Sequence, residues 1–463
     1  MSFNQNMTWG VAAASYQIEG AFDEDGKGLS VWDMAVRKPG FVYEGHTGDV
    51  ACDHYHRYAQ DVAMMKAMGV HAYRLSISWP RVLPSGVGTV NEKGLAFYDK
   101  LVDALLGAGI QPWVTLFHWD FPVELYRRGG WLNRKSVEWF AEYTQVVVER
   151  LSDRVSHWIT LNEPQCFIGL GLQTGVHAPG DKLQLHEVLL AGHHALMAHG
   201  RACQVIREHA KTPPKVGYAP VGVASYPATE SPEDVDAARA HMFGTHGKQM
   251  FTNTLFADPV ILGGYPKDVV ELYGPDFPRV CDADLELIKQ PADFYGVNIY
   301  QGTPVSAGRD ARLSTHGPSY EHAPEPGGFA AGYAKTNMNW PVTPEALYWG
   351  PRFFHERYKL PVVITENGMA NLDWVMADGK VHDPQRIDYL NRYLSALKRA
   401  AADGVPVDGY FQWSIMDNFE WAEGYNKRFG LVHVDYETQV RTPKDSAEWY
   451  SEVIRTNGGN LTA

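Results

Sequence analysis

Eight times along the chain a short run of β-branched and aromatic residues recurs that is apolar almost without a break: 9–14, 72–77, 113–117, 158–161, 216–221, 294–299, 362–365 and 409–413. A strand covered on one face alternates apolar and polar positions, whereas a strand covered on both faces does not. These runs therefore predict strands buried on both sides. Between many of them the apolar period becomes helical. Tyr55, Tyr58, Val62 and Met65 share a face, with Gly69 beyond as a stop. Leu95, Tyr98, Val102 and Leu105 follow Asn91; Val137, Phe140, Thr144, Val147 and Leu151 follow Ser136; Ile387, Leu390, Leu394 and Leu397 follow Asp383-Pro384. Asn91, Ser136 and Asp383 are expected caps, and Pro384 suits a first helical turn.

Strand and helix in repeated alternation imply a parallel sheet. Eight such strands predict an α/β fold, a single-domain (β/α)8 barrel over 1–463 with its chemistry on long loops at the C-terminal face. The competing open sheet wants a glycine-rich phosphate turn after its first strand. Here that strand leads into Ser15-Tyr16-Gln17-Ile18-Glu19-Gly20, and Gly169-Leu170-Gly171-Leu172-Gln173-Thr174-Gly175 misses the GxGxxG pattern by one residue. Long segments follow strands at 165–184, 301–343, 368–382 and 414–443. The second, rich in Gly, Pro and Ala, is expected to form a mobile rim or lid. Residues 457–463 are expected to form a frayed tail.

Composition narrows what the barrel mouth serves. Lys and Arg number 41 against 54 Asp and Glu, a net charge of −13, and no basic run exceeds Arg127-Arg128. This argues against nucleic acid and against an anionic membrane surface. No basic, then apolar, leader opens the sequence and no apolar run approaches about 18 residues, so a cytoplasmic protein is expected. The four cysteines are far apart, and His54/His56 and His193/His194 lack carboxylates at ligand spacing, so neither a metal nor a cofactor is expected. Aromatic residues are 12% of the chain. They serve either a ring-rich core or platforms for the apolar faces of sugars.

The polar residues at the predicted strand ends are Gln17, Glu19, Arg74, His118, Asn162, Glu163, Asn298, Tyr300, Glu366, Asn367 and Trp413. In a barrel they converge on one mouth. Two of them, Glu163 and Glu366, follow the fourth and seventh strands and could face each other across a cleft. Facing carboxylates suit glycosidic cleavage, with retention at about 5–5.5 Å separation and inversion at about 6.5–9.5 Å. Strand-end carboxylates also serve as plain ion-pair partners, and barrel reasoning alone leaves the two readings level.

The local strings tip that balance. Thr160-Leu161-Asn162-Glu163-Pro164 and Ile364-Thr365-Glu366-Asn367-Gly368 resemble the two carboxylate motifs of glycoside hydrolase family 1, the β-glucosidase family. So do Gln17-Ile18-Glu19-Gly20, Tyr73-Arg74-Leu75-Ser76-Ile77-Ser78-Trp79-Pro80-Arg81, Leu116-Phe117-His118-Trp119-Asp120, Gly296-Val297-Asn298-Ile299-Tyr300 and Asn418-Phe419-Glu420-Trp421-Ala422-Glu423-Gly424-Tyr425. The resemblance runs from about Thr8 to about Tyr450. It implies a retaining β-glycosidase in which Glu366 is the nucleophile and Glu163 the acid/base, with Arg74 and Tyr300 supporting Glu366. It implies sugar binding by Gln17, His118, Asn162, Trp413, Glu420 and Trp421, with Trp119, Asn298 and Phe429 as further lining. The expected partner is a small β-glucoside or oligosaccharide.

Three details refine the resemblance. The family's thioglucosidases carry Gln where this chain has Glu163, which favours an O-glycosidase. Its 6-phospho-β-glycosidases offer Ser, Lys and Tyr to a phosphate, where this chain has Phe419, Lys427 and Phe429 beside the anionic Glu420. A 6-phospho-β-glycosidase and a non-catalytic sugar-binding barrel are the alternatives. Many members have Trp after Asn-Glu-Pro; here Gln165, Cys166 and Phe167 follow, so a more polar aglycone entrance is expected.

Overall fold

The computed structural model describes residues 3–307, 329 and 332–462. Eight parallel strands close into a barrel: β1 Thr8–Ala12, β2 Ala72–Ser76, β3 Gln111–Phe117, β4 His157–Asn162, β5 Lys215–Ala219, β6 Phe294–Asn298, β7 Val362–Asn367 and β8 Val407–Trp413. Each pairs with its neighbours in sequence, and β8 returns to β1 with Gly409 opposite Thr8 and Trp413 opposite Ala12. This is a (β/α)8 barrel, and all eight expected strands are present with ends moved by a residue or two.

Helices α1 His54–Ala67, α2 Glu92–Gly107, α3 Ser136–Leu151 and α4 Leu185–His209 separate the first five strands. α5 Asp282–Ile288, α6 Ala346–Tyr358, α7 Pro384–Ala402 and α8 Asp445–Arg455 complete the outer layer. On α2 the expected residues Leu95, Tyr98, Val102 and Leu105 are the buried face. The caps differ from expectation. Asn91 precedes α2, but its amide donates to the Asp25 and Arg81 carbonyls instead of accepting from the helix. Asp383 precedes α7 and is drawn off by Arg386 and Ser446. Ser136 lies inside the first turn of α3, with Lys135 at the cap position. In each case the helix is secured by its buried face rather than by the cap, and Asn91 and Asp383 spend their side chains on other bonds.

Inside the barrel the side chains form layers. In one, the Trp113 ring stacks on His157 at 4.1 Å and meets Phe294 and Phe411 at 5.2 and 5.0 Å. Glycines make room for these rings: a Cβ on Gly10 would stand 2.4 Å from Phe411, and one on Gly217 2.2 Å from Phe294. Further along the same strands the residues turn polar. Thr115 follows Trp113, Asn298 follows Phe294, and Arg74 lies on β2.

The expected frayed tail is instead docked as far as Thr462. Trp9 Nε1 donates to Asn457 Oδ1 at 2.9 Å, Lys398 to the Gly458 carbonyl at 2.7 Å, and Asn391 to the Thr462 carbonyl at 2.9 Å. Polar tails fray unless such partners exist, and α7 and β1 supply them. The rim or lid expected over 301–343 falls, at 308–328 and 330–331, outside the described residues. Among the described residues no helix is long and apolar enough to cross a membrane.

Candidate active site

At the C-terminal end of the barrel the strand ladders slip. Register shifts interrupt β4–β5 between Ile159 and Asn162, β6–β7 between Val297 and Asn298, and β7–β8 between Tyr410 and Gln412. Such irregularities re-aim side chains that regular alternation would send outward. Here they flank Asn162, Asn298 and Glu366. Glu163 itself sits in the left-handed region at φ 46°, anchored by its N–H to the Ala219 carbonyl at 2.8 Å. Trp119 and Trp421 also have positive φ, 79° and 50°. A left-handed non-glycine residue costs about 1–2 kcal/mol, and such strain collects at functional sites.

The two carboxylates are almost fully buried, 7% and 3% exposed, yet both reach one cleft. Their partners differ. Glu366 Oε1 takes the Arg74 guanidinium at 2.5 Å, and Oε2 takes the Tyr300 hydroxyl at 2.7 Å. Glu163 Oε1 takes the Asn298 amide at 2.9 Å, and Oε2 takes the Cys166 thiol at 3.2 Å. Glu366 thus has a cation and a phenol, whereas Glu163 has two neutral donors. Burial pushes the Glu163 carboxyl well above the usual range, and the charge of Glu366 pushes it further. Burial also raises Glu366, but Arg74 and Tyr300 oppose the rise. With one proton between them, Glu163 holds it and Glu366 carries the charge.

Asn162 ties the site together. Its Oδ1 accepts from Arg74 Nη2 at 2.6 Å and Asn298 Nδ2 at 3.0 Å, so its Nδ2 faces His118 Nε2 at 3.1 Å. Because Nδ2 is a donor, His118 Nε2 is the bare acceptor and the ring is neutral. Burial and the nearby Arg74 hold the His118 pKa well below its ordinary value. A second polar corner is built around Gln17. Gln17 Nε2 donates to Asn418 Oδ1, the Phe419 carbonyl and Glu420 Oε2 at 3.0, 2.8 and 3.2 Å, while Gln17 Oε1 has no partner among the described residues. Burial, then Glu366, lifts the Glu420 carboxyl to about 8, so below that pH it is a neutral acid and not the anion expected from sequence. Trp413 and Trp421 lie nearly parallel to the His118 ring, at 5.6 and 5.9 Å.

These walls enclose a cleft of about 940 Å³, counted to its open mouth. That is the size of a small-molecule site. Of the residues expected from sequence, His118, Trp119, Glu163, Cys166, Asn298, Tyr300, Glu366, Trp413, Glu420, Trp421 and Phe429 line it. Gln17, Arg74 and Asn162 are wholly buried and touch that lining through the bonds above. Two residues expected at the aglycone entrance do not reach it. Gln165 is buried and closes two hydrogen bonds with the Val221 backbone, at 3.2 and 3.1 Å. Phe167 packs on Phe117 and Trp131 at 5.0 and 5.6 Å. Both belong to a wide-turned π-helix, Gln165–Thr174, which presents Cys166 and Leu170 to the cleft instead. Gly169 and Gly171 of the near-miss glycine string serve packing there: a Cβ would meet Met250 at 2.8 Å or the Ala178 carbonyl at 2.7 Å.

The rest of the cleft is lined by residues that sequence reasoning missed: Leu170, His177, Val221, Gly222, Val223, Phe251, Gln301, Met338 and Trp340. They come from loops without periodicity. For Leu170, His177, Gln301, Met338 and Trp340 the one available signal was that 165–184 and 301–343 are long segments after strands; for Val221, Gly222, Val223 and Phe251 there was none.

A family model described as glycosyl hydrolase family 1 matches residues 1–459. Beta-glucosidase A of Thermotoga maritima is 45% identical over 458 residues, covering 98% of each chain. A 1,4-beta-D-glucan glucohydrolase of Thermotoga neapolitana is 46% identical over 458 residues, 98% of this chain and 99% of its own. The solved beta-glucosidase from Thermotoga maritima in complex with glucoimidazole aligns at a TM-score of 0.88 with 44% identity, over 99% of both chains.

Proposed function

Given that the chain belongs to glycosyl hydrolase family 1, we propose that its cleft hydrolyses terminal β-D-glucosyl residues from β-glucosides and short oligosaccharides such as cellobiose, with retention. The observation that carries this reading is the unequal company of the two carboxylates. Glu366, braced as an anion by Arg74 and Tyr300, attacks the anomeric carbon. Glu163 gives its proton to the departing oxygen as the glycosidic bond breaks. Once Glu366 is an ester its charge is gone, and the charge that helped keep Glu163 protonated goes with it. Glu163 then takes a proton from water as that water displaces Glu366 from the sugar.

Recognition follows the donors and acceptors in place. Asn162 suits the 2-hydroxyl, where bonds that tighten at the transition state are worth several kcal/mol (roughly). Gln17 Oε1 and His118 suit the 3-hydroxyl, and Glu420 accepts from the 4- and 6-hydroxyls. Trp413 gives the apolar face of the sugar a floor. No observation favours a 6-phosphate: no lysine is among the described residues lining the cleft, and Lys427 donates to the Asn337 carbonyl at 2.9 Å.

The test is turnover of p-nitrophenyl β-D-glucopyranoside, with the first-formed anomer read by NMR. The wild type is expected to release β-glucose first. Glu366→Ala is expected to lose activity by about 10⁴-fold or more and to yield the α-glucosyl azide when azide is added. Glu163→Ala is expected to regain turnover with azide and to yield the β-azide. Release of α-glucose first, or turnover surviving Glu366→Ala, would overturn the mechanism. No wild-type turnover would bring forward the galacto, fuco and 6-phospho substrates, and after them a barrel that binds without cleaving.

A further inference from the structure

We propose that Cys166 is a positioning residue for the proton-donating carboxyl: its thiol orients Glu163 Oε2 and sets how firmly Glu163 keeps its proton. The proposal rests on the reading of Glu163 as acid/base. Two bonds fix the geometry. The Cys166 thiol stands 3.2 Å from Glu163 Oε2, and the Cys166 N–H donates to the Glu163 carbonyl at 2.9 Å. Side chain and backbone thus close a four-residue turn, Glu163 to Cys166, at the start of the π-helix, and the thiol has little freedom to swing away. Cys166 also lines the cleft, so the contact lies at the reacting centre.

Sulfur at this position has a chemical consequence. A thiol is a weak donor, and a hydroxyl a stronger one. A weak donor gives Oε2 a direction while stabilising its ionised form only slightly. The groups that face Glu163 from other elements are Asn298 on β6, Tyr300 just after it, Glu366 on β7, Arg74 on β2 and Glu420 after β8, which also lies near the thiol. Asn298 holds Oε1, and Arg74 is committed to Glu366, Asn162, Thr115 and the Thr365 carbonyl. Among the described residues Oε2 has no other protein donor. Burial and the neighbouring carboxyl also keep Cys166 a thiol, well above its ordinary pKa, so it remains a donor.

The experiment measures kcat/KM against pH for p-nitrophenyl glucoside and cellobiose with the wild type, Cys166→Ser, Cys166→Val and Glu163→Ala. The alkaline limb reports loss of the proton from Glu163. Serine, the better donor, is expected to move that limb down by about half to one pH unit, and valine, which has no donor, to move it up by a similar amount. The acid limb, set by Glu366, is expected to stay in place. A residue that only filled space would change the plateau in both variants and leave the limb alone. A limb that is absent in Glu163→Ala yet unmoved by serine and valine overturns the proposal by itself. A limb that survives Glu163→Ala overturns the acid/base reading, and the proposal with it. Should the valine variant not fold, a downward shift in serine supports the proposal and an unmoved limb overturns it.

Discussion

The same eight strands build two interiors of opposite character. In the aromatic layer the rings of Trp113, His157, Phe294 and Phe411 fill the barrel, and glycines on neighbouring strands make room for them. A few residues further along lie Arg74, Asn162, Asn298, Thr365 and Glu366, hydrogen-bonded to one another and no less buried. Burying rings gains free energy with area. Burying charges costs desolvation, which their hydrogen bonds return only in part. The barrel therefore draws its stability from the aromatic layer and uses some of it to hold the mouth ready for chemistry. If so, substitutions should separate: activity lost at the mouth, stability lost below.

The largest effect is expected at the mouth. Glu163→Gln keeps the shape and removes the proton donor. Its kcat/KM on cellobiose should fall by about 10²–10⁴-fold, with a smaller loss on a dinitrophenyl glucoside whose leaving group needs no proton. The melting temperature should hold or rise, because a buried carboxyl has become a neutral amide. A clear fall in melting temperature would show the mouth to be part of what holds the fold. Phe411→Ala is the converse. It should cost about 3–5 kcal/mol of unfolding free energy in denaturant titration, while both limbs of the pH–rate profile stay where they are in the wild type. A displaced limb would mean that the aromatic layer also tunes the carboxylates.

Tyr300→Phe probes the mouth more gently. It removes one donor from Glu366 and leaves the ring against Trp340 and Phe429. A fall in kcat/KM of about 10–100-fold is expected. The Tyr300 hydroxyl holds the Glu366 pKa down. Its loss should therefore raise that pKa and move the acid limb to higher pH. A limb that stays in place would show that Arg74 alone governs the ionisation of Glu366.

The two interiors were not equally legible in the sequence. The strands could be read because burial on both faces frees them from alternation, so β6 and β7 stand out as apolar runs up to their polar ends. The mouth could be read where a polar residue breaks such a run at its end, as Asn162, Glu163, Asn298 and Glu366 do. The π-helix defeated the reading. Its wide turn sends Gln165 to the Val221 backbone and brings Cys166 to Glu163, an arrangement that no regular helical or strand period predicts. The apolar part of the cleft lining was hidden for a related reason. Val221, Met338 and Trp340 look like any core residue until the loops that carry them are folded.

The smallest effect concerns Glu420, which sits at the mouth but whose ionisation bears on the whole fold. Burial, aided by the charge of Glu366, lifts its carboxyl from the ordinary 4.5 to about 8. Between these values the folded chain holds a proton that the unfolded chain has released. Stability from this group is therefore complete below about 4.5 and is lost as pH rises through about 8. Glu163 is raised by the same cause and acts in the same direction. The wild-type melting temperature should then decline across this window, and Glu420→Gln, which cannot ionise, should decline less steeply. Phe411→Ala should lower the entire curve and leave its slope intact, since no titrating group changes. Equal slopes in wild type and Glu420→Gln would show that Glu420 is already charged in the folded chain. The two interiors would then differ less in their electrostatic cost than their partners imply.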